Sequence, residues 1–172
     1  MTAHKRSQRF SIIEFLSVLV VLAVLAVAAA LIFSPFRHIQ LESAVDKVMS
    51  DLRYCQELAI CRNIPCGVVF EPARSRYTLY QYGGAGRSMI KDPLTRRGKL
   101  RIDFASGVYK GFTFAGVNVQ KGTELKFAAG TGVPLDAAGA ALTRPATVVI
   151  RSSAAGCIVI YVDPETGRVW RS

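Results

Sequence analysis

Apolar and polar positions fall into three regimes along the chain. From Ile12 to Phe33 the sequence IIEFLSVLVVLAVLAVAAALIF runs for 22 residues, of which only Glu14 and Ser17 are polar. At about 1.5 Å of rise per residue such a helix reaches roughly 33 Å, enough to cross the hydrocarbon of a bilayer. A small domain cannot surround so long an apolar run, which argues against a buried core helix. Next, Ser34-Pro35-Phe36 predicts a kink, because Pro35 lacks the amide that a helical hydrogen bond needs. Leu41, Val45, Val48, Leu52, Cys55 and Ala59 then recur at alternating steps of four and three. One stripe of a helix running to about Arg62 is therefore apolar, with Glu42, Asp46, Lys47, Asp51 and Glu57 on its other faces. The small residues at its end favour packing against a sheet over a coiled-coil seam, and Asn63-Ile64-Pro65 stops it.

From Cys66 onward the pattern changes to short β-rich runs between turn residues. The strands expected are 67–70, 77–82, 100–104, 112–114, 125–127, 146–150, 157–162 and 168–170. Gly83-Gly84-Ala85-Gly86, Ser106-Gly107, Gly130-Thr131-Gly132 and Asp163-Pro164-Glu165-Thr166-Gly167 are the breaks, the last reading as a hairpin turn. No segment of helical period and length follows Asn63. The fold class is α+β: a long N-terminal helix laid on an antiparallel β domain. The expected organisation is a basic leader over 1–9, a transmembrane helix over 10–33, an amphipathic stem over 34–63 and a β domain over 64–172.

Composition fits one domain with an appendage: 172 residues, 51% hydrophobic and 20% charged, too apolar for disorder and too short for a two-domain cofactor enzyme. Lys5, Arg6 and Arg9 precede the apolar run with no acidic residue among them, so the positive-inside rule keeps the N-terminus cytoplasmic. The expectation is a single pass through the inner membrane with the β domain outside the cytoplasm. Ala26-Val27-Ala28 could serve as a signal-peptide cleavage site, but Glu14 would then interrupt the apolar region and the mature chain would begin with the greasy AALIFSPF. Glu14 itself needs a partner, because a carboxylate within hydrocarbon costs on the order of a few kcal/mol.

The context of that glutamate, Phe10-Ser11-Ile12-Ile13-Glu14-Phe15-Leu16, resembles the N-terminal signature of type IV pilins and type II secretion pseudopilins. In that family a prepilin peptidase cuts a short basic leader just before a Phe, and a Glu is the fifth mature residue. The resemblance gives these roles to Phe10 and Glu14, with Glu14 neutralising the new amine of a neighbouring subunit and setting the register of a helix bundle. The sequence departs from the family at Arg9, where a Gly is usual. Cleavage there yields a filament subunit; its absence leaves an uncleaved single-pass anchor carrying a binding module. The helix end Leu52-Arg53-Tyr54-Cys55-Gln56-Glu57-Leu58-Ala59 and the late Gly167-Arg168-Val169 are similar to the GspH/FimT-type minor pseudopilins. That likeness implies a GspH-like β domain, a part in assembling a type II secretion pseudopilus or a type IV pilus, and other pilins and an inner-membrane assembly platform as partners.

Catalysis is not expected. His4 and His38 are the only histidines, one in the leader and one at the membrane exit, so neither supplies a base to the β domain. Cys55, Cys61, Cys66 and Cys157 lack paired zinc-site spacing, and no glycine-rich loop opens a helix, so neither metal nor cofactor is implied. Outside the cytoplasm disulfides are allowed; Cys66 has Cys61 across the turn and Cys157 on a later strand as candidate partners, while Cys55 and Cys157 also read as small core residues.

From residue 34 onward 19 Lys and Arg face 11 Asp and Glu, a net of +8, densest at Arg87, Lys91, Arg96, Arg97, Lys99 and Arg101. Such a surface suits anionic lipid or a partner pilin. The resemblance adds a second use, since FimT-like pilins bind DNA for natural transformation through a C-terminal arginine-bearing hairpin. Here Arg168 and Arg171 would contact phosphates and Trp170 would stack on a base.

Overall fold

The computed structural model describes residues 12–84, 86–93 and 98–172, with the backbone alone over 28–37. Residues fall into two compact units, 1–37 and 38–172. Among the described residues the regular structure before the strands is one helix, α1 (Ile12–Arg62). It is assigned as helix through Pro35. Among the described residues no helix carries an apolar stretch long enough to cross a membrane. The leader, Arg9 and Phe10 lie outside the described residues, as do the side chains of 28–33, so the expected 10–33 span falls partly beyond them.

In the second unit the predicted stripe is the buried face of α1. Leu41, Val45, Val48, Leu52, Cys55 and Ala59 are all closed to solvent, joined by Ala44 and Met49. Asp51, expected on a solvated face, is also buried, only 5% exposed. Asn63 takes a left-handed conformation (φ 50°) just after the helix, and the Gly130 amide donates to the Ala59 carbonyl at 3.0 Å, satisfying one of the acceptors left open at the helix end.

Among the described residues ten strands follow in two antiparallel sheets. The first holds β1 (Cys66–Glu71), β2 (Arg76–Gly83), β3 (Gly86–Met89), β4 (Arg101–Asp103), β6 (Glu124–Phe127) and β7 (Pro134–Leu135), in the order β3-β2-β1-β6-β7 with β4 also on β2. The second runs β10 (Val169–Arg171), β9 (Gly156–Val162), β8 (Ala146–Ser152), β5 (Phe112–Asn118). Alternation decides what each strand buries: Cys66, Val68 and Phe70 of β1 point into the core, and Val148 and Ile150 of β8 do the same. Between them lies Gly67, whose Cβ would come within 2.9 Å of the Leu125 carbonyl and 3.1 Å of both Lys126 and Tyr82. Only glycine lets those two side chains close over the central strand.

Aromatic rings join the two sheets. Phe70 of β1 meets Phe114 of β5 edge-on at 5.5 Å, and Phe104 stacks on Phe114 at 5.1 Å while meeting Tyr77 of β2 at 6.1 Å. Such pairs add to their burial about 0.5–1.5 kcal/mol each. The eight strands expected from sequence are present with shifted ends; β3 and β7 are additional. β3 (GRSM) is a polar edge strand and β7 has two residues, so neither carries an apolar alternation to announce it.

Candidate interaction surface at the C-terminal hairpin

The β9–β10 hairpin is built by its turn. Asp163 accepts bonds from the amides of Glu165 (3.0 Å) and Thr166 (2.8 Å) and from the Thr166 hydroxyl (2.9 Å). These bonds hold its carboxyl below the usual aspartate range. Gly167 closes the turn at φ +69°, a conformation that side chains rarely adopt. A Cβ there would also run into the Gln56 amide and lie 3.1 Å from the Gly132 carbonyl.

That collision shows what the turn is for. Gln56 Nε2, on α1, donates to the Thr166 carbonyl at 2.8 Å and to the Gly132 carbonyl at 3.0 Å. One turn earlier Arg53 donates to the Val169 carbonyl at 3.0 Å. Two helix side chains thus hold both the hairpin and the 128–133 turn by their backbones, which fixes the hairpin on the helix whatever side chains it carries. Neither residue stands out by itself in the sequence, where polar positions on a helix read as a solvated face. Their signal was collective: the helix end 52–59 and Gly167-Arg168-Val169 together carried the resemblance, and the structure brings these two segments into contact.

A cleft of about 520 Å³ lies along this junction, lined by Met49, Arg53, Gln56, Arg168, Trp170 and Arg171. The three residues expected to touch DNA therefore sit together, in different states. Trp170 is half-buried and stacks on Tyr161, its cross-strand partner, at 5.5 Å and 14°. Arg171 donates to Asp46 of α1 at 3.0 Å and lies 4.0 Å from Glu42. Arg168 is exposed and, among the described residues, has no carboxylate within 4 Å.

A second group of polar residues holds the helix to the first sheet. Asp51 accepts a bond from the buried Tyr77 hydroxyl at 2.7 Å and pairs with Lys47 at 2.5 Å. Burial first, then the Asp51 charge and hydrogen bond, push the Tyr77 phenol well up. On the outer face of that sheet Tyr82 donates to Glu124, and Lys126 sits 5.0 Å from the Tyr82 ring centre. In the basic stretch Arg87 lies over the Tyr80 ring at 4.2 Å, while Arg96 and Arg97 fall outside the described residues. Lys99 and Arg101 line a cleft of about 410 Å³ beside Met89.

Glu14 is exposed in the first turn of α1, its carbonyl accepting the Ser17 hydroxyl at 2.8 Å. All four cysteines are free. Cys66 lies in the first sheet, and Cys157, exposed in the second, pairs across the ladder with Arg151 instead, so it is not the core residue it resembled. Cys61 is likewise exposed. Cys55 and Cys66 are buried, and the Cys66 thiol donates to the Ile64 carbonyl at 3.5 Å. Among the described residues no three His, Cys, Asp or Glu side chains converge as a metal site would require.

No protein-family model and no curated protein matches the chain. Solved structures do. Over 77% of this chain and 96% of the other, it superposes on the minor pseudopilin EpsH of the Vibrio cholerae type II secretion system with a TM-score of 0.56 at 13% identity. A second EpsH structure from that organism gives 0.55 at 12% identity over 78% and 94%. The type IV minor pilin FimU of Pseudomonas aeruginosa gives 0.51 at 14% identity over 79% and 90%. The chain therefore shares its α+β fold, a long helix with antiparallel sheets, with these minor pseudopilin and minor pilin structures.

Proposed function

We propose that the chain is a non-catalytic minor subunit of a type II secretion pseudopilus or a type IV pilus, anchored by its N-terminal helix in the inner membrane with the β domain outside. The observation that carries this reading is the helical segment Ile12–Val27. Its large apolar side chains are between 49% and 86% exposed and follow one another along the segment, a contiguous apolar surface rather than residues scattered singly. Lipid, or the matching helices of neighbouring pilins, would cover them. Glu14 in the first turn would then need a cation, and the amine of Phe10 freed by the prepilin peptidase on an adjacent subunit supplies one. The fold shared with EpsH and FimU supports the same reading.

The test is a photo-crosslinking amino acid at Leu19 of the full chain in cells that build the filament. The account expects crosslinks to the N-terminal helices of other pilins and their loss in Glu14→Leu. Crosslinks to lipid alone, unchanged by Glu14→Leu, would refute filament packing and support an uncleaved anchored module.

Exposed Arg168 in the cationic cleft favours DNA as a second ligand. Binding by the full chain in detergent would then weaken steeply with salt and drop in Arg168→Ala. No binding at low salt would remove this reading.

A further inference from the structure

One end of the β domain lies beyond the contacts that hold the hairpin to the helix. β10 runs from Val169, bonded to Arg53, to Arg171, bonded to Asp46, and so points toward the start of α1. Its neighbour β9 pairs Ile160 with Arg171 and continues in that direction to Gly156, which faces Ser152 of β8, itself opposite Phe112 of β5. From Ile160 to Gly156 the strand advances about 13 Å, the rise of about nine helical residues. This end of the second sheet therefore stands level with the start of its unit at His38. The first sheet agrees: Tyr77 lies at Asp51, and two residues further from the end of the helix the Ser75 carbonyl accepts the Phe104 amide at 2.8 Å.

Two 3₁₀ turns close this end, Pro72–Arg74 and Gly107–Tyr109. The second is sealed by its own backbone: the Gly111 amide donates to the Phe104 carbonyl at 3.2 Å and the Lys110 amide to the Gly107 carbonyl at 3.3 Å. Val108 within it is 88% exposed, more than any other large apolar side chain among the described residues. The same turns bound a cleft of about 450 Å³, lined by Ala73, Phe104, Ala105 and Phe112 together with Arg74 and Lys110. Residues 71–76, 103–113 and 150–157 carry four cations, Arg74, Arg76, Lys110 and Arg151, against two acids, Glu71 and Asp103. Both acids are engaged: Glu71 pairs with Arg76 at 2.6 Å, and Asp103 accepts the Ala105 amide at 2.8 Å. Arg74 is exposed and reaches Glu71 only at 3.6 Å. Lys110 and Arg151 are exposed as well, and among the described residues no carboxylate lies within 4 Å of either.

We propose that this end of the β domain, with Val108 at its tip and Arg74, Lys110 and Arg151 beside it, docks on the anionic headgroups of an acidic phospholipid bilayer. An exposed valine alone is ordinary; what sets Val108 apart is its place among unopposed cations at the end where the helix enters the unit. An apolar tip flanked by cations matches the interfacial zone of an acidic bilayer, the side chain entering among the headgroups and the cations contacting phosphates. Neutral lipid would leave those cations without partners, so the docking depends on lipid charge and weakens with salt. The inference rests on the membrane anchoring in the proposed function, and it holds whether or not Phe10 is freed from the leader.

The experiment reconstitutes the full chain into vesicles of phosphatidylcholine, alone or mixed with phosphatidylglycerol. An environment-sensitive fluorescent amino acid replaces Val108 in one sample. In a second it replaces exposed Thr131, whose turn is bonded to the other end of the helix through Gly130 and Ala59. A nitroxide on the lipid headgroup serves as quencher. The expected result is a blue shift and several-fold stronger quenching at 108 than at 131 in the phosphatidylglycerol vesicles. Both effects should fall away in phosphatidylcholine alone, at high salt, and in the double variant Lys110→Glu with Arg151→Glu. Equal quenching at 108 and 131, or quenching at 108 that ignores lipid charge and the double variant, overturns the docking. A shift at 108 that appears only when other pilins are reconstituted alongside assigns the surface to a protein partner and also overturns it. Alkaline carbonate extraction of the same vesicles separates the two readings. A chain that resists extraction with 108 unquenched overturns the docking alone, whereas a chain stripped from the vesicles overturns the anchoring and the docking with it.

Discussion

Replacing Tyr77 by Phe deletes one oxygen atom from the joint between α1 and the first sheet. The Tyr77 ring keeps its contacts with Phe70, Phe104 and Phe114, so packing is almost unchanged. The loss is the 2.7 Å bond to Asp51, made where Tyr77 is 0% and Asp51 only 5% exposed. A hydrogen bond to a charged group is worth about 1.5–3 kcal/mol. Asp51 retains Lys47 on its other oxygen, which restrains the penalty for a stranded charge, so about 2 kcal/mol is the expected loss. For a domain of this size that is a fall of about 8 °C in the thermal midpoint, at about 4 °C per kcal/mol. Circular dichroism of the full chain in detergent reads it. A cycle with Asp51→Ala should give a coupling of about 1.5 kcal/mol between the two sites. A Tyr77→Phe midpoint within about 1 °C of wild type, or additive effects in the cycle, would mean that this bond does not hold the helix to the sheet.

Other perturbations test the remaining contacts. Gly167→Ala meets both a left-handed backbone and the Gln56 amide, so it should cost about 2–3 kcal/mol of thermal stability. At Gly139, where φ is also positive and nothing lies within 4 Å, Ala should cost only about 1 kcal/mol; equal losses would show that the Gln56 clamp contributes nothing. Arg171→Ala removes an exposed pair and should change stability by no more than about 0.5 kcal/mol, by the same assay. Alkaline pH supplies a further check. The folded chain keeps the Tyr77 proton above the ordinary tyrosine value of about 10, while the unfolded chain releases it. This contribution is fully present below about pH 10 and is lost as pH rises beyond it, at up to about 1.4 kcal/mol per pH unit. Tyr77→Phe should flatten that slope in denaturant titrations, leaving the part due to Tyr82, whose phenol is also pushed up by burial and by Glu124; an unchanged slope would rule out Tyr77 as its source.

Much of this architecture was legible in the chain because apolar spacing encodes it directly. The stripe from Leu41 to Ala59 is buried position for position, and Asp163 to Gly167 forms the hairpin turn its residue types dictate. What escaped depends on partners distant in sequence. Asp51 has the charge of a solvated position, and its burial is made tolerable by Lys47 one turn away together with Tyr77, 26 residues on. Gln56 and Arg53 look like ordinary helix surface until the last strand folds back onto them. Likewise Arg171 reads as a free cation in the sequence, yet Asp46 lies 125 residues before it and neutralises it.

The most direct measurement of the central claim is the intact mass and N-terminal sequence of the protein from native membranes, with and without the prepilin peptidase. The account predicts a chain beginning at Phe10 only when the peptidase is present, despite Arg9 in the position before the cut. A chain that still carries Arg9 in both samples would contradict it, leaving a fixed anchor in place of a filament subunit.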